Sequence, residues 1–190
     1  MKISILSLGV IVTLILASCS NSEVVKSSNS HYEIVNFPDG SIAYLNKNSK
    51  IEYKKEFADR LVNQEGEVFY EVKHDDIPFT VKTKSGEIKV LGTKFNVKAT
   101  DKEIEVEVET GTVELKVDDQ IKKIQKGQKA LFKKIEKDIK VTSADFNYKK
   151  WRRSLDVELQ KLQQKVEKNA KDLNQKAKSK INKALKKIED

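Results

Sequence analysis

The 190 residues contain a single cysteine, Cys19, so no internal disulfide can form and no thiolate cage for zinc can be built. Histidine is nearly as scarce, with only His31 and His74. His74-Asp75-Asp76 sets an imidazole beside two carboxylates, but no second histidine or cysteine stands at ligand spacing. That stretch reads as a surface turn beside Pro78, and neither a metal nor any other cofactor is expected. A Gly-x-Ser-x-Gly elbow, a phosphate-cradling glycine loop and an HExxH pair are also missing, which argues against an enzyme. Stability has to come from a packed core.

Long apolar runs are absent too, apart from the one that follows Lys2, from Ile3 to Leu16, and leads into Leu16-Ala17-Ser18-Cys19. A positive residue, an apolar stretch shorter than the roughly 18 to 20 residues of a bilayer span, and small residues at a cut site describe a secretory signal. The tetrapeptide resembles the bacterial lipobox, in which the cysteine after the cut is lipidated on sulfur and becomes the acylated new N-terminus. The resemblance implies that residues 1–18 are a signal peptide and that Cys19 begins a mature protein of 172 residues, anchored by fatty chains on the periplasmic or outer surface of a bacterial cell envelope. The polar stretch SNSEVVKSSNS within residues 19–30 reads as a flexible tether.

Net charge is confined to one end. Residues 1–148 carry 23 basic and 23 acidic side chains, whereas residues 149–190 carry 14 basic and 6 acidic ones, so the whole +8 belongs to the tail. Such asymmetry suggests a polyanion as partner, lipid headgroups or cell-wall polymer rather than nucleic acid given the export signal.

Between residues 31 and 142 apolar and β-branched residues alternate with polar ones over short runs. About ten strands are expected, at 42–45, 66–72, 79–82, 87–91, 94–99, 103–110, 112–117, 121–125, 129–133 and 139–142, separated by turn residues such as Pro38-Asp39-Gly40, Ser85-Gly86 and Asp118-Asp119. Closely spaced strands without intervening helices point to an all-β domain, a sandwich or a solenoid-like coil. Gly92 and Gly111 sit between strand-like runs, where a bend or a close backbone approach is expected. Phe69, Tyr70, Phe79 and Phe95 read as core, with a groove for an aromatic ligand as the alternative. Glu103, Glu105, Glu107 and Glu109 alternate with Ile104, Val106 and Val108, so one strand face shows four carboxylates. They are expected to be solvated opposite Lys116, Lys122 and Lys123; a cation site, a dock for a basic partner and intramolecular docking of the tail are the alternatives.

Several of these motifs occur together in one order. FPDGSIAYLNKNSKIEY (37–53), GEVFYEV (66–72), PFTVKT (78–83), VLGTKFNVKA (90–99) and ETGTVEL (109–115), with Lys126-Gly127-Gln128 as a closing turn, resemble the periplasmic domain of FecR-like proteins. The resemblance covers about residues 31–142 and makes Pro38, Asp39, Gly40, Gly66, Gly92, Thr93, Phe95, Asn96 and Gly111 its structural motif residues. It implies a small all-β domain that relays signals by contacting other proteins of the envelope; typical members receive a signal from an outer-membrane transporter and control a sigma factor. Here only Met1 and Lys2 precede the apolar run and a basic tail stands where a small signalling domain often follows. The fold and a binding role are therefore expected, rather than direct control of a sigma factor.

The tail, residues 143–190, is rich in Lys, Gln, Glu, Ala and Leu and has no Gly or Pro, which predicts one long helix. Thr142-Ser143-Ala144-Asp145 reads as its capping box. Leu155, Leu159, Leu162, Val166, Ala170, Leu173, Ala177, Ile181, Ala184 and Ile188 recur in steps of 4, 3 and 4, an eleven-residue repeat of about 3.67 residues per turn that keeps the stripe almost straight. Two uses are expected for this helix. Its front packs on the β domain through Phe146, Tyr148, Trp151 and Leu155, or Lys149, Lys150, Trp151, Arg152 and Arg153 contact an anionic surface; self-association is a third reading. Two functions follow: a lipid-anchored signalling module whose β domain binds an envelope protein, or a structural lipoprotein whose basic helix grips anionic polymer or lipid.

Overall fold

Three long, bent strands running side by side set the architecture. The computed structural model describes residues 22–27 and 29–189, so the expected signal peptide, residues 1–18, and Cys19 lie outside the described residues. β1 (Ser22–Lys26) and β2 (Glu33–Asn36) lie along the first line, β3 (Ile42–Leu45) and β4 (Lys50–Lys54) along the second, and the continuous strand β5 (Leu61–Glu71) along the third. β5 pairs antiparallel with β4 from Val62 to Glu65 and with β3 from Val68 to Glu71.

The bends lie next to one another. The Ser27 hydroxyl donates to the Asn46 carbonyl and accepts the Ser49 N–H at 2.8 Å, while the Ser49 hydroxyl accepts the Glu67 N–H at 2.9 Å. Gly66 stands at φ +85°, and a Cβ there would meet the Ser49 hydroxyl at 2.7 Å, so glycine is required at this corner on both counts.

The bent strands divide their halves between two sheets. One runs β1, β4, β5, β6 (Phe79–Thr83), β7 (Gly86–Val90), β10 (Thr112–Val117), β11 (Gln120–Gln125); the other runs β2, β3, β5, β8 (Lys94–Ala99), β9 (Glu103–Thr110), β12 (Gln128–Lys133), β13 (Asp138–Ser143). Neighbours are antiparallel except β5 with β6. The two sheets share β5 and close over one core in a nearly complete barrel, as strands that switch sheets at a bend allow. Val62, Val81, Ile88, Leu115 and Ile124 of the first sheet face Leu45, Val68, Tyr70, Phe95, Val97, Ile104, Val106 and Phe132 of the second, all fully buried. Burying a side chain of this size contributes roughly 1.5 to 3 kcal/mol. The one phenol in this core, Tyr70, donates to Gln64 at 2.9 Å, and Gln64 donates to the Val97 carbonyl at 2.9 Å. No polar group of that pair is left unmatched.

An all-β body followed by one long helix is the expected architecture, and the expected strands are all present among thirteen. β2 and β4 are additional to the expected strands, β5 starts at Leu61 instead of Gly66, and two boundaries of the body differ as well. Ser22–Lys26, inside the stretch whose composition suggests a tether, is β1: two valines are too few to show a period, yet β4 offers a full ladder from Ser22↔Lys54 to Lys26↔Lys50, and Val25 packs on the core. The helix α1 (Lys149–Glu189) starts later than Thr142 because β13 takes Thr142 and Ser143 into its ladder with Lys129 and Gln128. Phe146, at φ +50°, then turns the chain before the first helical residue.

Candidate functional site

Turns that are far apart in the chain meet at one end of the barrel. Pro38-Asp39-Gly40 closes a tight reversal between β2 and β3, with the Gly40 N–H donating to the Phe37 carbonyl at 3.0 Å. One Asp39 oxygen accepts the Ser41 N–H at 2.8 Å; the other accepts the Ser41 hydroxyl at 2.9 Å and Arg60 Nε at 2.8 Å. Arg60 is 3 % exposed and donates its remaining nitrogens to the carbonyls of Ile77 and Lys73. One buried guanidinium thus ties the 38–41 turn, the segment before β5 and the loop between β5 and β6. Phe57 and Arg60 both hold left-handed backbone, φ 51° and 45°, a conformation that unstrained non-glycine residues avoid. Packing maintains it: Phe57 stacks on Phe37 at 4.6 Å, and Tyr53 and Phe79 meet both rings edge-on.

The same end takes in the later glycines. A Cβ on Gly92 would lie 2.9 Å from the His74 backbone, and one on Gly111, at φ +82°, would lie 2.8 Å from the Gly92 carbonyl. Thr93 is buried and its hydroxyl donates to the Thr112 carbonyl at 3.1 Å. His74 is exposed in the loop that holds Asp75, whose N–H donates to the Leu91 carbonyl at 3.0 Å. Around this rigid frame Ile77 and Leu91 stay 53 % and 46 % exposed.

The second feature is the outer face of the β2–β13 sheet. Register places Tyr44, Phe69, Asn96, Glu107, Lys129 and Thr142 in one line across β3, β5, β8, β9, β12 and β13. Residues 144–155 cross this line as a strap. Asp145 meets Lys129 at 3.1 Å, the Phe146 N–H donates to Glu107 at 2.8 Å, and Tyr148 stacks on Phe69 at 5.0 Å and donates to Glu109 at 2.7 Å. Lys149 pairs with Glu109 at 3.2 Å. Glu107 and Glu109 of the carboxylate row therefore receive the tail, and the lysines opposite the row are Lys98, Lys129 and Lys133 on β8 and β12; Lys116, Lys122 and Lys123 belong to the other sheet.

Burial governs the protons here. Glu107, 1 % exposed, is raised to about 7 by desolvation and by the hydrogen bond it shares with Asp145. Asp145 is held below its usual range by that same bond and by Lys129, so the proton of the pair resides on Glu107. Burial pushes Glu109 up, but the Tyr148 hydroxyl and Lys149 outweigh it and leave its carboxyl below the ordinary value.

Of the tail residues named as candidate anionic-surface contacts, the β body already holds three. Lys149, paired with Glu109, also sits 4.6 Å over Phe146; Trp151 stacks on Tyr32 at 6.0 Å; Arg152 lies 3.7 Å over the Tyr44 ring and 3.7 Å from Asp156. Lys150 and Arg153 remain exposed. Phe95 stacks on Tyr70 in the core, while Phe69 faces outward under Tyr148. Asn96 is buried beneath the strap and donates to Glu67 at 3.1 Å. Arg60 is the contributor that no local pattern announces, since its partners lie 13 to 21 positions away.

Known proteins share the barrel. Residues 23–114 match the sequence model of the FecR protein family. Two crystal structures, at 1.65 and 2.50 Å resolution, each of a "putative anti-sigma factor" from Parabacteroides distasonis ATCC 8503, superpose with TM-scores of 0.61 and 0.62 at 30 % identity, covering 65 % of this chain. The chain spans about three fifths of the length of those proteins, 60 to 61 %. No curated protein sequence matches it significantly. Residues 23–114, which hold the long β5 strand, the Asp39 turn and the stacked glycine turns, thus match a FecR domain, and the barrel they build resembles those of the two anti-sigma-factor structures.

Proposed function

We propose that the protein is a lipid-anchored regulatory module of the cell envelope that binds a protein partner through the turn-rich end of its FecR domain. FecR-domain proteins are regulatory and envelope-associated, which supports the general role. Anchoring through Cys19 rests on the Leu16-Ala17-Ser18-Cys19 motif, and no helix among the described residues is long and apolar enough to cross a membrane.

One observation carries the binding reading. Two left-handed non-glycine residues and a buried Asp39–Arg60 pair fix a set of turns that leaves Ile77 and Leu91 in water. Strain held by surrounding structure at an exposed end is a pattern of recognition sites, because a pre-ordered surface loses little entropy on binding. A photo-crosslinking residue at Ile77 or Leu91 in cells should capture one protein that a probe at the distant, 91 % exposed Ile135 does not, and Ile77→Asp should abolish capture at Leu91. Equal capture at all three positions would remove the assignment. Incorporation of a labelled fatty acid into the natural chain, lost in Cys19→Ala, tests the anchor separately.

A further inference from the structure

The apolar stripe of α1 starts before Leu155 and is covered only in part. Tyr148, Trp151, Leu155, Leu159, Leu162, Val166, Ala170, Leu173, Ala177 and Ile181 follow one another in steps of 3, 4 and 4, a single face. The β body covers its first three members: Tyr148 and Leu155 are each 3 % exposed, and Trp151 stacks on Tyr32. Past the edge of the body the same face is bare, with Leu159 40 %, Leu162 53 %, Val166 66 %, Leu173 68 % and Ile181 57 % exposed.

Continuity of the stripe limits what can cover it. A flat lipid surface touching Leu159 to Ile181 would have to pass through the body, because Tyr148, Trp151 and Leu155 rest on that body with the same face. The cover must be a narrow object lying alongside the body, and a helix has that width. Charge then selects the partner. Residues 156–167 hold three acidic side chains and two lysines, whereas residues 168–189 hold eight lysines against Asp172 and Glu189. Beyond Leu155 the rod starts weakly acidic and ends strongly basic, so that exposed part complements itself only when reversed.

We propose that α1 pairs antiparallel with α1 of a second copy, centred on Leu173. With the two helices reversed about that residue, Val166 of one chain comes within one residue of the level of Ile181 of the other, Ala170 of Ala177, Leu162 of position 185 and Leu159 of position 188, and the sequence is apolar at each. Glu167 of one chain likewise comes within one residue of the level of Lys178 of the other on the same flank, and Glu158 of position 187, a lysine. Alanine at 170 and 177 lets the axes approach, and the eleven-residue period keeps two such rods nearly straight instead of winding them left-handed. A parallel pair would instead set each lysine of the tip beside its twin. The two bodies end up at opposite ends of the pair, clear of one another.

Cysteine cross-linking of the full-length chain in intact cells tests the arrangement, with the unsubstituted chain, whose one thiol is Cys19, as background. Under a mild oxidant Leu173→Cys should give a covalent dimer. Val166→Cys and Ile181→Cys should each stay monomeric when expressed alone and should dimerise when expressed together. Adding Leu162→Asp and Val166→Asp to Leu173→Cys should lower the dimer yield at least tenfold without changing the sheet signal, since both residues are exposed. Dimers from Val166→Cys alone and from Ile181→Cys alone would mean a parallel pair and would overturn the proposal. So would failure of Leu173→Cys to dimerise, or a monomer bound to phosphatidylglycerol vesicles and released by Leu162→Asp with Val166→Asp.

Discussion

Tyr148 stacks its ring on Phe69 at 5.0 Å and places its hydroxyl 2.7 Å from Glu109, so one side chain makes both the apolar and the polar contact that seat the helix on the barrel. Burial and the Glu109 carboxylate both push the Tyr148 phenol well above its ordinary range, which keeps it a donor at any physiological pH.

Removing that ring should unseat the strap. Tyr148→Ala is expected to weaken docking by about 3 to 4 kcal/mol, and Tyr148→Phe, which loses only the hydrogen bond to a carboxylate, by about 1.5 kcal/mol or more. Hydrogen exchange should show residues 146–155 losing protection in the first variant while the amides of β5 and β8 keep theirs. Unchanged protection at Arg152, whose N–H donates to the Tyr148 carbonyl at 3.1 Å, would contradict this.

Docking should respond to pH through Glu107. Its folded value, about 7, lies above the ordinary 4.5, so the docked state holds a proton that the undocked state gives up between those values. Stability is therefore fully present below pH 4.5, falls as pH rises toward 7, and is level above that. Asp145 and Glu109 shift the opposite way, and their contributions are lost only in more acidic solution, as pH drops through their lowered values. Glu107→Gln should flatten the slope between pH 4.5 and 7 in denaturant titrations; a slope that survives this change assigns the proton elsewhere.

Breaking the buried Asp39–Arg60 pair is expected to be more damaging. With Arg60 3 % exposed, Asp39→Ala leaves a buried guanidinium without its carboxylate and should destabilise the barrel by about 3 to 5 kcal/mol. Thermal unfolding checks the size, and a loss within about 0.5 kcal/mol, the ordinary surface range, would show that the pair is not buried in solution.

Two glycines with nearly the same φ separate strain from crowding. At Gly66 (φ +85°) an added methyl would stand 2.7 Å from Ser49, whereas at Gly127 (φ +81°) it would meet nothing within 4 Å. Gly127→Ala should lose about 1 to 2 kcal/mol from backbone strain alone, and Gly66→Ala clearly more, because the corner must open as well. Equal losses in paired urea titrations would mean that the corner is soft.

Residues 103–110 show how far local pattern carries. Alternation of Glu with Ile and Val tells which side chains share a face, since a strand has a period of two. It does not tell which lysines lie opposite, because that follows from β9 lying between β8 and β12, a matter of sheet order. Ser22–Lys26 is the same lesson in reverse: with two valines it lacks a period, and pairing with β4 alone makes it a strand. Pro38-Asp39-Gly40 announces a turn, whereas Arg60, which locks it, is an unmarked arginine between Asp59 and Leu61.

Along the chain itself are written the strand-rich body, the glycine turns, the charge of the tail and the eleven-residue stripe, all of them periods or conformational limits felt within a few residues. Three-dimensional packing alone decided that β5 serves two sheets, that Asp39 finds Arg60, and that the stripe is covered to Leu155 and bare beyond it. Those outcomes join residues tens of positions apart. They depend on which long-range pairings together bury the most apolar surface, and no window of sequence contains both halves of such a pairing.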